Sequence, residues 1–416
     1  MRTDVLSWPT PVTFVNGRIV TSEGEARTLR IRRRIVAIDA PPQPGDKVVD
    51  LDGRFVLPGL INAHDHLELN HYGALKVRDT YGNAREWIGD LAPVIRESSD
   101  IREKSRIALA DRLFIGGLKN LLAGVTTVAH HNPMYRAFGL HFPVRLVERF
   151  GWAHSLGLEH GPVGAHGEPG GVVADRCAAT PPSVPFIVHA AEGTDAIAAA
   201  ELETLKASGC LRPNTVLVHG LAVTPERWHE LFADGVSLVW CPASNLFLFG
   251  RTLCMPCVLE SPWARQRVCL GSDSRVTGSN DLLDELRVAA SARVRSDDLF
   301  AMVTTAAANV LRDEEAGRIR VGAPADLTVI PAAAGSAGEA LLRCRRADVA
   351  LVLRRGTPLF GDPSLADAFD ARGIHVRRIE VDGHSRLMQT SIVRRIERCL
   401  IREPGVKTIG CEGSRA

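Results

Sequence analysis

The stretch Phe55-Val-Leu-Pro-Gly-Leu-Ile-Asn-Ala-His-Asp-His66 decides how this chain is read. An apolar run leads straight into two histidines spaced two apart. Alternate residues of a β-strand point to one face, so His64 and His66 can present both imidazoles to one divalent ion placed just beyond the strand end. A lone His-x-His pair is weak evidence, because such pairs arise by chance. Three further stretches repeat the design: Phe186-Ile-Val188 runs into His189, Thr215-Val-Leu-Val218 into His219, and Arg267-Val-Cys-Leu270 through Gly271-Ser272 into Asp273. Continuous apolar runs of this length suit parallel strands buried on both faces. Each polar residue stands at the carboxyl end, where α/β barrels carry their active sites. An ordinary buried histidine would explain any one of these positions, but not four at four strand ends.

Between these runs lie helical patterns, such as Ile107, Ala110, Phe114, Leu118 and Leu121 after the polar start Ser98-Ser-Asp100. The alternation predicts a parallel sheet, and its length predicts an α/β fold closed as a (β/α)8 TIM-type barrel. Trp152 to Leu158 reads as the third strand and Phe186 to Val188 as the fifth. The intervening Glu159 to Pro185 is rich in Gly and Pro and has no apolar run, so a degenerate fourth strand is expected there. Val12 to Val49 alternates short β-like runs with turn signals, Asn16-Gly17 fitting a hairpin, and a second β-rich stretch spans Ile319 to Gly361. The expected boundaries are 1–55, 56–316, 317–380 and a tail, 381–416. In that tail Ile392, Val393, Ile396, Cys399 and Leu400 oppose Arg394, Arg395 and Arg398, the pattern of an amphipathic helix suited to packing on the body or on a second copy in a homodimer.

Composition agrees with a globular enzyme. A chain of 416 residues with 45% hydrophobic content holds a barrel and a smaller unit. A net charge of +2 gives no reason to invoke nucleic acid. The start, Met1-Arg-Thr-Asp-Val-Leu-Ser-Trp-Pro, lacks a signal peptide's apolar core, and no run approaches a membrane span, so a cytoplasmic protein acting on a small molecule is expected. Nine scattered cysteines suit reduced thiols, and the close pair Cys254-Met-Pro-Cys257 reads as two buried or loop thiols.

The chain resembles the amidohydrolase superfamily from about Val15 to about Gly361. Leu57-Pro-Gly-Leu-Ile-Asn-Ala-His-Asp-His66 is similar to that family's entry into its first barrel strand, and Gly124-Val-Thr-Thr-Val128 to its second. His189-Ala-Ala-Glu192, Val239-Trp-Cys-Pro-Ala-Ser-Asn245, Gly271-Ser-Asp-Ser274 and Ser279-Asn-Asp-Leu282 resemble the branch of metal-dependent deaminases and chlorohydrolases acting on heterocyclic rings. Gly317-Arg-Ile-Arg-Val-Gly-Ala-Pro-Ala-Asp-Leu-Thr-Val329 is close to the return into the small β-domain those enzymes share. The resemblance implies that the two β-rich stretches pair as one β-sandwich domain beside the barrel.

Many binuclear relatives bridge two metals with a carbamylated lysine near the fourth strand. This chain has no lysine between Lys119 and Lys206, which excludes that bridge. One divalent ion held by His64, His66, His189 and Asp273 is therefore expected, zinc by default, with iron or manganese compatible with the same ligands. Such an ion lowers the pKa of its water, and Asp273 is placed to accept the proton. The resemblance gives His219 the task of holding the attacking oxygen or polarising the attacked atom.

Glu192, three residues beyond His189, decides the chemistry. Nitrogen leaves poorly unless protonated, and a carboxyl group overhanging the metal can carry that proton. Hydrolytic deamination is the reaction expected; the rivals are an amidase or deacylase, a chlorohydrolase, and a metal-binding barrel without turnover. Glu68, Asn70, Trp87, His130 and Asn245 are candidate substrate contacts, and Glu159 is the rival metal ligand.

Overall fold

The computed structural model describes residues 10–139, 141–156 and 172–409, so Glu159 and His160 lie outside the described residues. Eight strands build two all-parallel sheets: β1 (Leu60–Asp65), β2 (Val125–His130), β3 (Arg145–Leu146), β4 (Gly151–Ser155), β5 (Phe186–Ala190), β6 (Thr215–His219), β7 (Ser237–Trp240) and β8 (Val268–Leu270). The first sheet runs β3-β2-β1 and the second β4-β5-β6-β7-β8. Alternation sorts their side chains. Phe186 and Val188 of β5 join the large core shared with the surrounding helices, whereas Ile187 meets Ile61, Ala63, Ala129, Val216, Val239 and Cys269 in a separate inner cluster. Both sheets thus turn their inner faces onto one core.

Their free edges approach each other at β1 and β8. The Asp273 N–H donates to the His64 carbonyl at 3.1 Å. Gly271 permits the approach, since a Cβ there would stand 2.6 Å from the Cβ of His64.

The strand expected to be third, around Trp152, is the fourth. The short strand is β3, two residues long and paired with β2 through Arg145 and Leu146, and it precedes the segment in which a degenerate fourth strand was expected. Pro143 stands just before it and the charged Glu148-Arg149 just after, which leaves too short an apolar run to recognise. Arg145 instead anchors β3 by pairing with Asp313 and donating to the Thr127 hydroxyl at 3.0 Å.

The two ends of the chain share a nine-stranded sheet. Phe55–Pro58 lies between Arg18–Thr21 and Leu327–Ile330, antiparallel to the latter. Val12–Val15 belongs to a separate four-stranded sheet with Leu29–Ile31, Ile35–Ile38 and Lys47–Asp50. Asn16-Gly17 therefore closes no hairpin. With Asn16 at φ 53° it turns the chain from one sheet into the other, and the two sheets bury Phe14, Ile19, Leu29, Leu327 and Leu351 in one core.

The tail departs from the expected division at 380. That boundary falls inside a hairpin, Val376–Val381 with His384–Gln389, and Val406–Thr408 continues the nine-stranded sheet at its edge. Between these lies the helix Thr390–Arg398, which buries Ile392, Val393 and Ile396 against the body and leaves Leu400 75% exposed. Arg395 lies over the Phe114 ring and bonds Asp111 at 2.6 Å, docking this helix onto Leu109–Leu122. Glu403, fully enclosed, accepts from Arg275 at 2.6 and 2.9 Å and from Arg346 at 2.7 Å. The Cys254–Cys257 pair, expected as free thiols, is joined in a disulfide. Among the described residues no helix is long and apolar enough to cross a membrane.

Candidate active site

Three imidazoles converge at the carboxyl ends of β1 and β5. Nε2 of His189 lies 3.1 Å from Nε2 of His64 and 3.4 Å from Nε2 of His66, and all three residues are buried. Asp273 brings Oδ1 to 3.9 Å from His64 Nε2 and 3.8 Å from His66 Nε2. His189 Nδ1 donates to the His154 carbonyl at 2.7 Å, which leaves its Nε2 as a lone pair aimed at the cluster. Burial is the first cause pushing all three imidazoles below their ordinary range. Three imidazole nitrogens brought this close together form an arrangement that a cation placed between them would stabilise. The donor set, three imidazoles and a carboxylate, fits a divalent ion.

Asp273 is held by its own surroundings. Burial pushes its carboxyl up, but His66, His219, the Ser274 N–H at 2.7 Å and the Thr277 hydroxyl at 2.9 Å outweigh burial and keep it below the usual carboxylate range.

Backbone turns at the strand ends aim the other groups. Ala191, His219 and Asp273 sit at φ 52°, 69° and 51°, left-handed conformations uncommon for residues other than glycine. Such strain collects where a site demands it. The turn at Ala191 lets Glu192 fold over the cluster, with Oε1 3.5 Å from His219 Nε2. His219 Nδ1 donates to Asn245 Oδ1 at 3.0 Å, and Asn245 in turn donates to the Thr252 hydroxyl at 3.3 Å. Burial pushes the Glu192 carboxyl up to about 7, against the lowering influence of His219 and with the help of Asp273 and Glu201.

The remaining expected contacts part company. Glu68 and His130 are both buried, 3.8 Å apart, and the Asn132 amide joins Glu68 to His66 Nδ1. Asn70 gives both ends of its amide to the protein: Oδ1 accepts from Lys119 at 2.8 Å and Nδ2 donates to Asp65 at 2.9 Å. Trp87 donates its indole N–H to the Leu75 carbonyl at 2.9 Å and braces the loop after β1.

Two further histidines also face the cluster, His131 beside the expected His130 and the unanticipated His154. The His131 ring lies 4.5 Å from that of His189, and the His154 ring 5.1 Å from it. Alternation carries a signal for both: His131 follows His130 onto the opposite face of β2, and His154 follows Trp152 along β4.

Residues 181–358 match the amidohydrolase family. The 5-methylthioadenosine/S-adenosylhomocysteine deaminase of Halobacterium salinarum is 27% identical over 368 residues, 74% of this chain and 80% of that one. The protein of the same name from Natronomonas pharaonis is 27% identical over 375 residues, 76% and 83% of the two chains. Among solved structures, the atrazine chlorohydrolase of Arthrobacter aurescens complexed with zinc superposes with a TM-score of 0.67 at 18% identity, covering 85% of this chain and 96% of that one. An adenosine deaminase from Xanthomonas campestris with bound zinc gives 0.64 at 18% identity, covering 88% and 98%. These likenesses show a common fold. The chain is thus similar to the amidohydrolase family over residues 181–358, to two deaminases of one name over about three quarters of its length, and in fold to a chlorohydrolase and a deaminase.

Proposed function

We propose that this protein is a metal-dependent aminohydrolase that adds water to a ring carbon bearing an exocyclic amine and releases ammonia. The observation that carries the reading is Glu192, turned over the histidine cluster by Ala191, 3.5 Å from His219 and with a carboxyl group pushed up to about 7. A group of that acidity exchanges protons near neutral pH.

His64, His66, His189 and Asp273 would hold one divalent ion, zinc first, within two sheets that close as an eight-stranded barrel. When bound, the ion supplies a water acidic enough to attack at neutral pH. Asp273 takes a proton from the attacking water. His219, kept in one orientation by Asn245, faces the carbon under attack. Glu192 carries a proton to the leaving nitrogen, so that a C–O bond forms, the C–N bond breaks and ammonia departs neutral. Glu68 and His130 are the substrate contacts of this reading, and the braced Asn70 and Trp87 hold the loop between them.

The names of the relatives make thioether-bearing adenine nucleosides the first compounds to test. Zinc-loaded protein is incubated with 5-methylthioadenosine, S-adenosylhomocysteine, adenosine and a panel of aminated heterocycles, and separately with N-acyl compounds, while ammonia and carboxylate are measured. Ammonia from a heterocycle supports the reading. Carboxylate from an open-chain amide, with no ammonia from any ring, overturns it in favour of an amidase.

A further inference from the structure

Beneath the histidine cluster lies a second polar assembly that the proposed reaction does not use. Lys119 and Asp65 are both 0% exposed, and Lys119 Nζ stands 3.0 Å from Asp65 Oδ2. The ammonium also donates to Asn70 Oδ1 at 2.8 Å and faces Ser272 Oγ and the Asp273 carbonyl, each at 3.3 Å. Asp65 in turn accepts from Asn120 at 2.8 Å, Asn70 at 2.9 Å and Asn62 at 3.3 Å. Asn62 reaches across as well, donating to Ser272 Oγ at 2.8 Å and accepting the Ser272 N–H at 3.0 Å.

Burying two full charges is costly, and apolar residues of similar volume in such places are often neutral or stabilising. Stability is therefore a poor explanation for this pair, and its position suggests a better one. Asp65 sits between His64 and His66, so pinning its carboxylate on one face of β1 fixes the strand's rotation and with it both imidazoles on the other face. The same ammonium holds the carbonyl of Asp273, three residues beyond β8. One positive charge thus ties together side chains from both edges of the seam between the two sheets.

We propose that Lys119 is a positioning residue for the metal site: through Asp65 and the Asp273 carbonyl it sets the spacing between the histidines of β1 and the carboxylate beyond β8. The inference rests on the reading that His64, His66, His189 and Asp273 hold a divalent ion. Partners that orient metal ligands typically contribute a factor of about 10 to 100 in metal affinity.

The test compares the parent with two variants. Lys119→Met combined with Asp65→Asn removes both buried charges, so no unpaired charge is left to unfold the protein, and Ser272→Ala deletes one hydroxyl that bridges the two sheets. Zinc affinity is measured by competition with a chelator, and the visible spectrum of the cobalt(II)-loaded protein reports the ligand geometry. In the double variant, affinity is expected to fall about 10- to 100-fold with a shifted cobalt spectrum, and in Ser272→Ala by a smaller factor in the same direction. A folded double variant with the parent's affinity and spectrum overturns the proposal. Should the double variant not fold, unchanged affinity and spectrum in Ser272→Ala overturn it alone. A parent that binds no zinc sinks the underlying reading instead, which keeps the two failures apart.

Discussion

The three-stranded sheet presents His64 and His66 above a floor of charge and amide, Lys119, Asp65, Asn62 and Asn120, all fully buried. The five-stranded sheet presents His189, His219 and Asp273 from apolar ladders, Phe186-Ile-Val, Thr215-Val-Leu-Val and Val268-Cys-Leu, whose continuations bend into left-handed backbone at Ala191, His219 and Asp273. One sheet orients its groups by electrostatic bracing, the other by backbone geometry. Orientation by bracing should fail gradually as partners are removed, whereas orientation by backbone should fail when a contact is forced.

Removing a ligand from either sheet is the largest test. His64→Ala and Asp273→Ala are each expected to lower metal content from about one ion per chain to near zero after dialysis, with activity lost in parallel, as metal analysis will measure. Metal kept by one variant and lost by the other would mean that the sheets contribute unequally.

Next in size is Glu192→Gln, which keeps shape but cannot carry a proton. Turnover is expected to fall by about two to four orders of magnitude while metal content stays at the parent's level. The sign with pH follows from a carboxyl raised to about 7: the protonated acid is the working form, so the parent's rate should decline as pH rises through that value. The variant's profile should lack this limb, and near-parent turnover in Glu192→Gln would discard the mechanism.

A smaller effect is expected at the seam. The added methyl of Gly271→Ala would stand 2.6 Å from the His64 Cβ and 2.9 Å from a Val239 methyl, neither at the loose end of a long side chain. Overpacking of this kind costs about 1 to 3 kcal/mol, to be read from denaturant midpoints with and without zinc. Equal stability with weakened zinc binding would show that the seam yields by moving the ligands.

The least effect concerns Glu285, which accepts the N–H groups of Ala243 at 2.9 Å and Ser279 at 3.3 Å. Burial pushes its carboxyl up to about 8. A raised pKa means that the folded state holds the proton more tightly. The resulting stability is complete below the unfolded value, near 4.5, and is lost as pH rises through about 8. Glu285→Gln should flatten melting temperature against pH across that window; an unaltered slope would assign the loss to other groups.

The groups that converge were legible because each stands at the end of a run with a clear period, and β5, β6 and β8 begin and end within a residue or two of the apolar stretches that announce them. What escaped reading lacks such a run. Strand β3 is two residues long behind a proline. Lys119 falls inside the helix Leu109–Leu122, where a lysine ordinarily marks the solvated face, yet here it is turned inward to Asp65. The tail hairpin is rich in arginine, Arg377, Arg378 and Arg386, which hid its strand alternation. Bonds made by isolated polar residues across long sequence separations leave no local period, and so the bracing half of the site was the hidden half.

The clasp of Glu403 on Arg275 and Arg346 has a consequence for the order in which the molecule can be finished. Arg275 lies two residues beyond Asp273, and its backbone N–H donates to Asn70 Oδ1 at 3.1 Å, the same oxygen that accepts from Lys119. During synthesis His64 and His66 are made long before the carboxylate that neutralises Arg275, which arrives only with residue 403. A chain still on the ribosome therefore carries His64 and His66 without the brace on their loop until residue 403 has been made.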